Sequence, residues 1–173
     1  PFLSTSVTSV KYAENKVSEI FNDILATEAP IELSRFVKLF ADCFGFQQVR
    51  KNRVDFITNL IPKDLITQTP FGDYIWASST QADTWTTYRP SGLTAERKLQ
   101  EISPMEYSNA LVDLVTASRS LSRENAVQVL AEIFGFTRLT QKTRDHIEKI
   151  VDYVIQQNLL FVDDNERLRV TKD

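Results

Sequence analysis

The sequence is poor in cysteine and in long apolar runs, and each absence excludes a class of protein. Cys43 is the only cysteine among 173 residues, so no internal disulfide can form and we expect a reducing, cytoplasmic compartment. No apolar run approaches the roughly 20 residues that a membrane-spanning helix needs. No secretory leader pattern opens the chain either, so we expect no membrane partner.

Glycine, proline and methionine are also scarce. Four glycines and six prolines leave room for long regular segments. The only methionine is Met105 and the first residue is Pro1, from which we expect the chain to be a piece of a longer protein. The hydrophobic fraction of 42% is ordinary for a folded protein and too high for disorder.

Sequence motifs for catalysis or cofactor binding are missing as well. Neither a Gly-x-x-x-x-Gly-Lys phosphate loop nor a Gly-x-Gly-x-x-Gly motif occurs, so we expect no cofactor. The single histidine, His146, lacks the partners of a general base or a zinc site, and we interpret it as structural. We interpret Cys43 as a small buried thiol and Asp163-Asp164 as turn residues rather than metal ligands. We therefore expect no metal site and no enzymatic activity.

An internal repeat is the most informative feature that is present. A shift of 90 positions places residues 30–61 on residues 120–151 without a gap, and Phe44-Gly45-Phe46 then meets Phe134-Gly135-Phe136. In each copy a stripe of apolar residues with helical spacing precedes the triplet, whose glycine is placed to end the helix in a left-handed conformation. Ser122 is the predicted N-cap of the second copy's helix.

The pattern around each repeat predicts three helices followed by a β-hairpin. The first helices are predicted near residues 10–26 and 104–118, and the hairpins pair residues 65–69 with 74–77 and 159–162 with 167–170. This is winged-helix order. The predicted fold class is mainly α with small β-hairpins, arranged as two tandem winged-helix (helix-turn-helix) units.

The polar segment between the copies shows no clear period. We expect a first unit over residues 9–77, a linker or crossover over 78–102 and a second unit over 103–173. Aromatic residues crowd the first hairpin and this segment, and they could stack on unpaired bases, although such residues more often fill a core. They are Phe71, Tyr74, Trp76, Trp85 and Tyr88.

Basic residues gather at the predicted second helix of each helix-turn-helix pair. The net charge of −3 means that any contact with nucleic acid must come from such a local patch. The N-terminal end of this helix meets bases or phosphates in helix-turn-helix proteins. The alternative is a solvated face of mixed charge. The candidate nucleic-acid-binding residues are Arg50, Lys51, Arg53, Arg138, Lys142 and Arg144.

The order and spacing of several short pieces resemble a known bacterial family. The pieces are Ala29-Pro30-Ile31, the two Phe-Gly-Phe triplets, Ile102-Ser103-Pro104-Met105-Glu106-Tyr107 and Leu121-Ser122-Arg123-Glu124. They resemble the domain of unknown function at the C-terminal end of large helicase-related proteins. Those proteins join a superfamily-one helicase core to a Vsr-like endonuclease segment, and some lie among phage-defence genes. The family often places an arginine where the second copy has Arg138, whereas the first copy has Gln48.

The resemblance implies an accessory role beside a helicase and nuclease and supplies no activity of its own. We expect a non-catalytic, nucleic-acid-binding domain of a larger bacterial helicase or nuclease protein, with DNA and the other domains of that protein as partners. The alternative is a protein-docking module within the same protein, which the acidic net charge of −3 favours.

Overall fold

A computed structural model describes residues 2–46, 48–92 and 96–171, with side chains from residue 14 onward. The chain divides into two compact units, Pro1–Thr84 and Trp85–Asp173. Each described unit is mainly helical and contains one small antiparallel sheet of three strands. The predicted class of a helical protein with small β-hairpins is confirmed at this level.

The first unit begins with its longest helix. Its helices are α1 (Phe2–Glu28), α2 (Leu33–Cys43), α3 (Lys51–Leu60) and the short α4 (Gln81–Thr84), with a 3-10 turn at Lys63–Leu65. Its strands are β1 (Ile31–Glu32), β2 (Ile66–Thr69) and β3 (Gly72–Ile75), in the order β1-β3-β2.

The second unit repeats this arrangement of helices and strands. Its helices are α5 (Pro104–Ser118), α6 (Arg123–Ile133) and α7 (Gln141–Gln156), preceded by a 3-10 turn at Leu99–Glu101. Its strands are β4 (Leu121–Ser122), β5 (Leu160–Val162) and β6 (Arg167–Val170), in the order β4-β6-β5. The helix α6 begins and ends 90 positions after α2. The helix α7 likewise begins 90 positions after α3, as the repeat predicts.

Each Phe-Gly-Phe triplet ends a helix in the way the sequence predicts. Gly45 has a φ of +75°, which a residue without a Cβ adopts at little cost. The amide of Gly45 donates to the Asp42 carbonyl at 2.9 Å and that of Phe46 to the Ala41 carbonyl at 3.1 Å. These two bonds satisfy carbonyl groups that the helix end would leave unpaired. Gly135 in the second unit has a φ of +83°.

Side-chain caps fix where the helices of the second unit begin. Ser122 accepts a hydrogen bond from the Asn125 amide at 3.3 Å, which confirms it as the N-cap of α6. Ser103 caps α5 ahead of Pro104, where proline has no amide to leave unsatisfied. Such caps contribute about 1 kcal/mol each.

The hairpin of the first unit differs from its prediction. Gly72 and Asp73 were expected in the turn, but both belong to β3. A shorter loop suffices because the Thr69 hydroxyl accepts from the Phe71 amide at 3.1 Å and donates to the Gly72 carbonyl at 2.8 Å. The strands β1 and β4 were not predicted, since two residues are too few to show an alternating pattern.

The described residues of the predicted linker, 78–92 and 96–102, have ordered structure on both sides of the unit boundary. In the first unit, Gln81 accepts from the Ala77 amide at 2.9 Å. In the second unit, Asn109 on α5 donates to the carbonyls of Trp85 and Thr87, both at 3.0 Å. The described residues after Thr84 therefore form part of the second unit's fold.

Each unit has its own hydrophobic core. In the first, Phe21, Phe36, Phe40 and Phe44 form a row of rings with successive centroids 5.3, 5.8 and 5.2 Å apart. Phe36 is completely buried, and burial of a side chain of this kind contributes about 2 kcal/mol.

Among the described residues, no helix is long and apolar enough to cross a membrane.

Candidate functional site

The basic residues of the second copy lie at the N-terminal end of α7. Arg138 is exposed in the connector before the helix, and Lys142 is exposed in its first turn. Arg144 is partly covered, and its Nη1 lies 3.9 Å from Oε1 of Glu148. The N-terminal end of a helix carries partial positive charge and attracts anions. Arg138 and Lys142 add two further positive charges at this end of α7.

The basic residues of the first copy lie at the equivalent end of α3. Arg50 occupies the N-cap position and Lys51 is the first helical residue, and both are exposed. The Arg53 side chain lies over the ring of Phe46, with its guanidinium carbon 4.2 Å from the ring centroid. Its Nη1 also donates to the Gln48 carbonyl at 3.4 Å. The structure therefore groups these three residues but directs one of them toward an aromatic ring.

Acidic residues interrupt the positive charge along α7. Asp145 accepts a hydrogen bond from Gln141 at 2.6 Å. Farther along, Asp152 pairs with Arg123 of α6 at 2.6 Å. Arg138 and Lys142 therefore lie ahead of the acidic residues of α7, whereas the later basic residues of the helix alternate with them.

Two of the five singled-out aromatic residues fill the interior, and the other three are partly buried. Tyr74 and Trp76 are buried, and the Trp76 indole donates to the Thr67 hydroxyl at 3.1 Å. The interpretation as core residues is confirmed for these two. Tyr88 is half-buried, with its ring centroid 6.2 Å from that of Phe134.

His146 packs within the second unit, whereas the burial predicted for Cys43 is wrong. His146 is half-buried, 5.9 Å from the Tyr107 ring between centroids. Burial, followed by the charges of Lys149 and Lys142, lowers the pKa of this imidazole. Cys43 was expected to be buried but is exposed. As the last residue of α2, it lies outside that helix's buried stripe.

The predicted turn residue Asp163 forms local hydrogen bonds. Its carboxylate accepts from the amides of Asn165 and Arg167 at 2.9 and 3.0 Å and pairs with Arg169 at 2.7 Å. The hydrogen bond from Arg169, and then that from the Arg167 amide, lower the pKa of Asp163. Among the described residues, no three His, Cys, Asp or Glu side chains are grouped to hold a metal ion.

A buried carboxylate was missed by the sequence reasoning. Glu106 of α5 is completely buried, with Oε2 2.9 Å from Nη2 of Arg89 and 2.8 Å from Nη1 of Arg97. Its Oε1 also accepts from the amide and Nε of Arg89 at 3.1 and 3.0 Å. Its position one turn before the buried Ala110 was the available signal, because a charge on an apolar helical stripe needs a partner.

An apolar groove opens on the first unit beside the basic end of α3. It encloses about 300 Å³. Phe56 is 63% exposed, and Phe44, Phe46 and Leu60 are each 38% exposed. The groove is lined by Val17, Phe40, Ala41, Phe44, Phe46, Arg53, Phe56, Ile57 and Leu60.

The corresponding surface of the second unit is covered by the unit's own chain. Phe134, the counterpart of Phe44, is only 5% exposed. The rings of Tyr88 and Tyr107 pack against it with centroid distances of 6.2 and 4.6 Å. The amide of Ser91 donates to the Ile133 carbonyl at 2.9 Å, which holds the covering segment at the end of α6.

Comparison with known proteins gives no relative for this chain. No family model, no curated protein and no solved structure matches it.

Proposed function

We propose that the chain is a pair of tandem winged-helix units that acts as a non-catalytic nucleic-acid-binding accessory of a larger helicase- or nuclease-type protein. Support comes from the element order and sheet order that the two units share. In each unit, the helix after the glycine turn begins at a group of basic residues. The parent protein is inferred from the family resemblance of the sequence alone.

The arrangement around α7 is the observation that carries this proposal. Arg138 and Lys142 are exposed on either side of the helix's first residue. Within the described part of the chain, no carboxylate lies within the 4.0 Å of an ion pair from either. In winged-helix binding, this helix end approaches the major groove. The two side chains would contact phosphates and position the duplex, with little reading of base sequence.

Fluorescence anisotropy with labelled single-stranded and double-stranded DNA tests the role. Binding that weakens steeply with salt is expected, because each neutralised phosphate releases counterions. The variant R138Q/K142Q/R144Q should weaken binding to all sequences alike. A matched control, K38Q/K63Q/K98Q, removes the same charge from exposed lysines elsewhere. Equal losses in both variants, or no binding by the wild type at low salt, would contradict the proposal.

Docking onto a protein is the second candidate, and the groove of the first unit favours it. Apolar surface of this kind, with Phe56 63% exposed, is typical of an interaction site. A photo-crosslinking amino acid at position 56, expressed in the parent protein, should capture another domain or a partner protein. The same group at position 161, an exposed site on β5, serves as the control. Absence of a product specific to position 56 would remove this role.

A further inference from the structure

We propose that the groove of the first unit binds a non-helical peptide segment of a partner protein, in which an aromatic residue lies beside a carboxylate. The inference rests on the docking role and specifies the chemistry of the occupant. The second unit shows what such an occupant looks like. Part of the segment 85–90 of its own chain covers the surface that corresponds to the groove, and this segment forms neither helix nor strand.

This covering segment shows why the occupant carries an aromatic side chain. In the second unit, Tyr88 packs edge-on against Phe134 at the end of α6. The counterpart Phe44 of the first unit ends the row of four phenylalanine rings and is 38% exposed. An incoming ring would extend that row, and edge-to-face or offset ring pairs contribute beyond the area they bury.

Residue differences between the copies widen the apolar surface in the first unit. Phe56 stands where the second unit has His146, and Leu60 stands where it has the completely buried Ile150. Phe56 and Leu60 line the groove and remain exposed. At these two positions, the first unit therefore exposes more apolar surface to water than the second unit does.

The two units carry opposite charges at one equivalent position of their first helices, so the segments that bind there should carry opposite charges too. In the second unit, Glu106 of α5 binds Arg89 of the covering segment. The helices α1 and α5 end 90 positions apart, so Lys16 of α1 is the counterpart of Glu106. Lys16 is exposed, and Arg53 lies on the groove wall. A cation at the counterpart of Glu106, next in sequence to the groove residue Val17, favours a carboxylate in the occupant where the covering segment has Arg89.

A synthetic peptide tests this chemistry directly. The probe has the sequence of residues 84–92, labelled at one end, with glutamate in place of Arg89, and binding to the whole 173-residue chain is followed by anisotropy. We expect saturable binding of this probe. The unchanged peptide should bind about threefold more weakly, as for one exposed ion pair. Replacement of its tyrosine by alanine should weaken binding about tenfold.

Two variants on the protein locate the binding site. F56S alters an exposed side chain and should weaken probe binding while leaving the fold and DNA binding intact. K16E should reverse the preference, so that the arginine peptide binds more tightly than the glutamate peptide. F161S is the control, because Phe161 is exposed on the second unit, and it should leave probe binding unchanged.

The outcomes separate this inference from the roles on which it rests. Failure of the probe to bind, an equal effect of F56S and F161S, or an unchanged preference in K16E would overturn the proposed occupant. The docking role would survive if position 56 still crosslinked to a protein segment without this aromatic and acidic pair. The DNA-binding role would survive if salt-dependent anisotropy remained.

Discussion

Glu106 and Arg97 form an ion pair in which both partners are buried, with 2.8 Å between Oε2 and Nη1. The carboxylate also holds Arg89 and so attaches residues before the 3-10 turn to α5. Loss of one partner leaves buried charge uncompensated, which typically destabilises a protein by about 3 kcal/mol. We predict that E106Q lowers the free energy of unfolding of the second unit by about this amount.

Tryptophan fluorescence during urea unfolding measures the effect, because each unit contains a single tryptophan. In a W76F background, Trp85 reports on the second unit. D152N is the control, since Asp152 pairs with Arg123 at 2.6 Å but the two side chains are 55% and 41% exposed. Its loss should change stability by less than about 1 kcal/mol. Similar effects of E106Q and D152N would show that burial does not determine the strength of the first pair.

Helix boundaries could be predicted where local chemistry determines them. Ser103 with Pro104, and Ser122 with its apolar stripe, place the starts of α5 and α6 from sequence alone. The strands β1 and β4 could not be predicted, because they exist only through pairing with β3 and β6 far along the chain.

The candidate site was only partly predictable for a related reason. The repeat places the basic residues at the ends of α3 and α7, but it does not show that Arg53 lies against Phe46. Tyr88 and Phe134 meet only after the segment folds back on its unit. Exposure of the equivalent Phe44 therefore depends on a tertiary contact that helical periodicity does not encode.

The two turn glycines provide a matched test of backbone strain and packing. Both have positive φ, so alanine should cost about 1 kcal/mol at either site. A Cβ on Gly45 meets nothing within 4 Å, whereas one on Gly135 would lie 2.7 Å from the Cβ of Ser91. We predict that G135A destabilises its unit by about 1 kcal/mol more than G45A destabilises the other.

Urea unfolding followed by Trp85 and by Trp76, respectively, measures the two glycine variants. S91G removes the atom that the new methyl group would meet. Compared with S91G alone, G135A/S91G should therefore show only the smaller, backbone part of the loss. A loss as large as in G135A alone would assign the whole effect to the backbone.

His146 should make the second unit less stable in mild acid. Its pKa is lowered from 6.5 by burial and by Lys149 and Lys142. As the pH falls below 6.5, the unfolded chain takes up the proton first, so the free energy of unfolding decreases; above 6.5 both states are neutral and the residue contributes no slope.

We predict that H146F, which introduces the residue found at the equivalent Phe56, removes this part of the pH dependence. Urea unfolding followed by Trp85 is measured at about pH 7.5 and about pH 5.5, on either side of the ordinary pKa of an imidazole. The difference between variant and wild type isolates His146 from the carboxylates. K149Q should give an intermediate slope, since it removes one of the two charges that oppose protonation. An unchanged slope in H146F would show that this imidazole titrates alike in both states.

Lys142 and Arg53 should contribute unequally to DNA binding, although both lie in the first turn of the equivalent helices. Lys142 is exposed at the start of α7, while Arg53 is held over the Phe46 ring. If Lys142 contacts one phosphate, K142Q should reduce the slope of log affinity against log salt by about 0.9. R53Q should change that slope less and should instead weaken binding of the acidic peptide probe. Anisotropy titrations over a range of salt concentrations measure both. Equal changes in slope would show that Arg53 contacts a DNA phosphate as Lys142 does, and would contradict its proposed role in binding the acidic peptide.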